Sequence, residues 1–200
     1  MSTLKVDTIQ KRTGTGTINV GQSGDTIAMP SATLTTALPV ASGGTGGTSF
    51  SAAGLSNTSA FMARLSSNQS VSSGSFTKIV FNAEDFDSDS NFDTSNGRFT
   101  PTTAGKYWCY TSLAVDELND QNAVYSAIYF NGSHANGHSS LAMSSKNTAT
   151  TVSNIGATFT FNGSSDYIEV YGLHNYGSNR NFIGNSTTEC VFTAYRLIGA

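Results

Sequence analysis

Between Phe81 and Tyr110 the chain reads FNAEDFDSDSNFDTSNGRFTPTTAGKYWCY, and this stretch restricts the fold more than any other. An amphipathic helix repeats its apolar residues three and four apart, and the gaps separating Phe81, Phe92 and Phe99 are far wider. Short strands joined by long polar loops fit the pattern. Pro101 and Gly105 lead into an aromatic strand from Lys106 to Val115. Alternation places Tyr107, Cys109 and Thr111 on one face of it and Trp108, Tyr110 and Ser112 on the other.

Strand signals continue on both sides. Ala60 to Leu65 and Phe76 to Asn82 precede the stretch; Ala123 to Phe130 follows and ends in Asn131-Gly132, a hairpin turn in which both residues tolerate positive φ. Thr151 to Phe161 runs into a second Asn-Gly, Asn162-Gly163, before Asp166 to Leu173. Cys190 to Ile198 is an apolar closing strand. No segment of useful length between Phe61 and Ala200 shows helical periodicity.

Ahead of this the material changes. No aromatic residue precedes Phe50, so the first quarter of the chain cannot bury a core of its own. Leu4 to Ile9 and Thr17 to Val20 alternate like strands, in segments too short to stand alone, and other copies of the chain must supply their partners. Leu38 to Leu55 is rich in Gly, Thr and Ser and reads as a neck, with room for a short helix at Ser51 to Ser56. The divisions expected are residues 1–37 as an extended β stalk or attachment segment, 38–59 as the neck and 60–200 as a β head.

Charge and motif exclude several function classes. Net charge is -3 without a lysine or arginine cluster, which argues against a phosphate grip and hence against nucleic acid. No apolar run is long enough to cross a bilayer and no signal-like segment follows Met1, so membrane insertion is not expected, and synthesis in a cytoplasm is. Serines are plentiful, but none stands in Gly-x-Ser-x-Gly with suitable partners. The carboxylates Asp116, Glu117, Asp120, Asp166, Glu169 and Glu189 are too scattered to pair, and Glu169, between Ile168 and Val170, reads as an outward solvated residue. The chain is expected not to be an enzyme.

Three groups of residues remain as candidates. Asp85, Asp87 and Asp89 lie in an acidic run with the alternate spacing of oxygen ligands in a calcium loop, although Phe92 and Arg98 stand where that loop needs Gly and Glu; a solvated acidic loop is the other reading. His134, Asn136 and His138 fall in the segment Asn131 to Ser140, and His174, Asn175, Tyr176, Asn179 and Arg180 in His174 to Phe182. Both segments read as loops, and their amides, rings and Arg suit receptor or sugar recognition. Zinc at His134 and His138 is disfavoured because a four-residue spacing aligns ligands only on a helix. Trp108, Tyr110, Tyr125, Tyr129 and Tyr195 are candidate self-association aromatics, which either join copies or merely cover loops.

The spacing Phe81, Asp87, Phe92, Phe99, Gly105, Tyr107 resembles the signature of the complement C1q domain family, whose jelly roll is shared with tumour necrosis factor. Cys109 and Thr111 replace the last two aromatics of that signature, which puts local packing there in question. The resemblance covers Phe61 to Ala200 and implies an all-β C1q/TNF-like sandwich assembled as a homotrimer about faces bearing outward aromatics. It also implies a central, buried closing strand, neighbouring strands for Cys109 and Cys190, and calcium near the axis in some members. The cysteines are then either a disulfide or two buried thiols. Leu38 to Gly46, LPVASGGTG, and the opening MSTLKVDTIQ resemble bacteriophage tail fibres. Together these imply a trimeric phage fibre, assembled in the host cytoplasm and resident in the virion tail. It would be joined to other tail proteins through its N-terminal segment and would adhere to host cell-surface glycan or protein through the head. A virion decoration or connector without receptor binding is the alternative, and a depolymerase a third.

Overall fold

The computed structural model describes residues 59–184 and 189–198. The expected stalk, neck and short helix fall outside these residues, apart from Ser59 at the boundary. The described part is a sandwich of two antiparallel sheets without a helix, and the all-β jelly-roll expectation holds.

One sheet is built on β7 (Gly105–Leu118), which pairs with β10 (Ala149–Phe161) on one side and β13 (Val191–Arg196) on the other. It continues through β1 (Ala60–Arg64) to β4 (Ala83–Asp87), and β2 (Gln69–Val71) joins through β12 (Arg180–Phe182). The other sheet runs β5 (Phe92–Asp93), β6 (Arg98–Phe99), β11 (Ile168–His174), β8 (Ala123–Phe130) and β9 (Ser133–Met143), with β3 (Thr77–Lys78) also on β11. The closing strand β13 lies between β7 and β1, inside its sheet.

Strand alternation is what fills the core. On β7, Tyr107, Cys109, Thr111 and Leu113 are fully buried, as period two requires. Phe61 stacks on Phe92 and Phe99, with ring centroids 4.6 and 4.5 Å away, and meets Phe192 edge-on at 5.0 Å. Phe99 and Phe161 close around Tyr107. The widely spaced Phe92 and Phe99, from β5 and β6, are thus neighbours in space, and Phe81, from the segment between β3 and β4, joins them through Phe192 at 5.6 Å. Asp87 serves the backbone, its carboxylate accepting the Phe92 amide at 2.7 Å and pinning the polar loop between them.

At the two departures from the aromatic signature the packing is small or polar. Cys109 is flanked across the sheet by Ala157 and Ala194, and Thr111 donates its hydroxyl to the Val191 carbonyl at 2.8 Å. Both cysteines are free. Their strands are neighbours, but Cys109 sits opposite Ala194, while Cys190 reaches Ala114 further along β7. Antiparallel register, not distance between strands, keeps the thiols apart. Burial pushes the Cys190 thiol up to about 11 and that of Cys109 further still.

Two strand expectations need correction. Of Phe76 to Asn82 only Thr77–Lys78 is a strand, followed by one more bond to β11 from the Ile79 amide; on the far edge the Gln69 side chain stands in for a partner strand, donating to the Lys78 carbonyl and accepting from the Val80 amide. Asn131 to Ser140, read as a loop, turns at Asn131 and Gly132, both at positive φ, and then becomes β9. A bulge opens between Ile128↔His138 and Phe130↔Ser133, and Gly137 occupies it where a Cβ would strike the Ile128 carbonyl.

Candidate functional site

The outer face of the β7 sheet carries an apolar patch. Across the ladder Trp108 faces Tyr195, Tyr110 faces Thr193, Thr193 faces Met62, and Met62 faces Phe86. Trp108, Tyr195 and Phe86 are 36%, 42% and 51% exposed. The Trp108 indole is also anchored from beneath, since it lies over Gly156 of β10. Trp108, Tyr110 and Tyr195 therefore do share the face that alternation assigned to the first two.

Tyr125 and Tyr129 do not join them. Both stand on β8, in the opposite sheet, and look out from the other side of the sandwich. Alternation tells which residues of one strand share a face; it does not tell which sheet the strand enters. There, Tyr129 stacks on Tyr171 of β11 at 3.9 Å and on His134 of β9 at 5.1 Å, so three rings pile up across three strands. Phe76 closes over Tyr125, Tyr129 and His134.

Beside this pile lies the ionic group that the sequence hid. Glu169 is only 3% exposed, contrary to the expectation of a solvated residue. Lys78 of β3 and Arg98 of β6 both reach its Oε1, at 2.9 and 2.8 Å, and the Tyr171 hydroxyl reaches Oε2 at 3.4 Å. Desolvation raises the Glu169 pKa, but the hydrogen bonds and charges of Lys78 and Arg98 more than offset it and leave the carboxyl below its ordinary value of 4.5. Arg98 is held in turn over the Tyr167 ring, 3.8 Å from its centroid.

The receptor candidates separate. The chain enters the sandwich at Ser59, near the start of β7, and at the opposite end the turns 119–122, 144–148 and 175–179 are tied together. Asn175 holds that end, its Oδ1 accepting the Ala123 amide at 2.7 Å. Arg180 lies over the Tyr176 ring at 3.4 Å and donates to the Glu117 carbonyl, which a positive φ at the β7 bulge presents; Asn179 is exposed beside it. His174 is not a surface residue at all: it ends β11 fully buried, its Nε2 3.0 Å from the Val71 carbonyl.

His134, Asn136 and His138 lie on β9, and the bulge sends the two histidines apart, His134 to Tyr129 and His138 to Phe159 across the sandwich. The acidic run does not converge either. Asp85 pairs with Arg64 at 2.9 Å, Asp87 is committed to backbone amides, and Asp89 accepts from Ser59. Among the described residues no three His, Cys, Asp or Glu side chains form a metal-holding group, and no helix is long and apolar enough to cross a membrane.

No family model matches the sequence, and no curated protein does. Solved structures do. Murine APRIL at pH 5.0 is 11% identical with a TM-score of 0.51, over 70% of this chain and 98% of that one. The same protein at pH 8.0 gives 10% identity and a TM-score of 0.51, again over 70% and 98%. The globular domain of zebrafish complement 1qA is 17% identical with a TM-score of 0.49, over 70% and 97%. At such identities the APRIL likeness speaks for the fold alone, and the fold is the C1q/TNF-like jelly roll.

Proposed function

We propose that the chain is a homotrimeric phage tail-fibre protein whose jelly-roll head adheres to a host cell-surface glycan or protein. The observation that carries the assembly is a pair of unlike apolar surfaces. The face bearing Phe86, Trp108 and Tyr195 is one, and the other is the edge formed by β9 and β10, where Leu141, Met143 and Val152 are exposed. Among the described residues each of these strands pairs on one side only, and neither carries a Lys, Arg, Asp, Glu or Pro to protect its free edge. Face against edge is a heterologous contact, and such contacts close into rings when the rotation permits. The fibre assignment is supported by LPVASGGTG at Leu38 to Gly46 lying just ahead of such a head. The role proposed is adhesive, not catalytic: three modest contacts on one particle gain by multivalency what each lacks alone.

Light scattering on the full chain should give three copies, and fluorescently labelled protein should decorate host cells and compete with phage adsorption. A trimer that neither binds cells nor blocks infection would mark the connector role instead.

A further inference from the structure

The outer face of the β8 sheet is built as a binding platform, and the geometry points to an acidic saccharide as its ligand: a sugar residue bearing a carboxylate, held by Lys78, Arg98 and Glu169 beside the Tyr129 and Tyr171 rings. This deepens the adhesive reading and rests on it for its biological sense.

The ionic group is asymmetric. Lys78 Nζ, Arg98 Nη2 and Arg98 Nε all lie within 2.9 Å of the single oxygen Oε1 of Glu169. Oε2, on the same buried carboxylate, receives only the Tyr171 hydroxyl at 3.4 Å, so an ionised acceptor is held nearly free. Two cations meet this one carboxylate, and Asp93 lies opposite Arg98 across the β5–β6 ladder, so the charges of the platform balance and what it offers an anion is unused donors. Lys78 retains ammonium protons and Arg98 a guanidinium edge beyond those given to Glu169, and both side chains are partly exposed.

These groups match a sugar acid one for one. A carboxylate takes the free donors of Arg98 and Lys78, which favour planar anions. A sugar hydroxyl donates to Oε2. The C–H face of the sugar ring packs against aromatic surface, supplied here by Phe76 and the Tyr171, Tyr129 and His134 pile. The platform is stiff as well, since Arg98 is fixed on Tyr167 and the tyrosines are fixed on each other, so little ordering cost attends binding.

The test is calorimetric titration of the full chain with a galacturonate oligomer and with the galactose oligomer of equal length and linkage, at about 0.15 M salt to screen nonspecific charge. The acidic oligomer should bind at least about tenfold more tightly than the neutral one. Arg98→Gln and Lys78→Gln should each weaken it about tenfold or more, while Lys146→Gln, in the exposed 144–148 turn at the loop-built end, should leave it unchanged. Equal affinity for both oligomers, or acidic binding indifferent to Arg98→Gln and Lys78→Gln in folded protein, overturns the assignment. Cell adsorption by the same variants separates the two levels. Adsorption that survives both substitutions leaves the adhesive reading standing and removes this site, whether the receptor is a protein or another glycan. Oligomer binding without any adsorption keeps the site and removes the adhesive reading.

Discussion

Trp108 of β7 lies diagonally over Gly156 of β10, so closely that a Cβ on Gly156 would come 2.4 Å from Cζ2 of the indole. The glycine is thus a seat for the ring, and the ring covers the backbone that the glycine leaves bare. Gly156→Ala should unseat the indole at a cost of about 1–3 kcal/mol, the range for overpacking. Because Trp108 is the sole tryptophan, its fluorescence reports the change directly: emission should shift to the red and the melting temperature should fall. Unchanged emission would mean that the ring is seated elsewhere.

A second prediction concerns acid. The Glu169 pKa is depressed in the folded protein, so the stabilisation it brings is present above the ordinary value of 4.5 and is lost as pH falls through the folded value. Its partners are partly exposed, which places the contribution below that of a fully buried pair, at about 1–2 kcal/mol. Glu169→Gln should therefore be less stable than the parent at pH 7 by roughly this amount, and the two denaturation midpoints should converge below pH 4.5. A gap of constant size across the acid range would show that packing, not charge, is responsible.

How much of this the sequence discloses depends on where the information sits. The shared face of Tyr107, Cys109 and Thr111 is legible because alternation is local, and the wide phenylalanine spacing is legible because the rings come from separate short segments, Phe92 and Phe99 from β5 and β6 and Phe81 from between β3 and β4. β9 is hidden: SHANGHSSLAM has no apolar alternation, being an edge strand interrupted by a bulge. That Tyr125 and Tyr129 look out from the sheet opposite Trp108 is not legible, because face parity is a property of one strand, and sheet membership is a property of the topology. Glu169 is unreadable for a related reason, since Lys78 and Arg98 lie 91 and 71 residues away along the chain.

His174 supports a third prediction, about the loop-built end. Its Nε2 meets the Val71 carbonyl, while its own carbonyl accepts from the Gly74 amide and the Ser73 hydroxyl, and Ser73 in turn accepts from the Gly177 amide. The residue thus joins β2 and the Tyr176 amide through its ring, and the segment after β2 through its backbone carbonyl. His174→Ala should cost about 2–4 kcal/mol through the cavity and the stranded carbonyl. Amide exchange at Gly74, Tyr176 and Gly177 should accelerate more than at β7. Uniform acceleration would assign His174 to general core packing instead.

The final prediction tests the assembly. Phe86 is the most exposed member of the patch that includes Trp108 and Tyr195, and a charge placed there in an isolated head meets water, with little effect on folding. Between copies the same charge is buried against an apolar edge without a partner, at several kcal/mol per interface repeated around the ring. Phe86→Glu should therefore melt like the parent head and yet lose the threefold mass in light scattering at micromolar concentration. Val152→Lys, on the edge strand β10, should do the same from the other side of the contact. Either variant still trimeric would take its residue out of the interface, and a parent protein that is monomeric under these conditions would remove the assembly altogether.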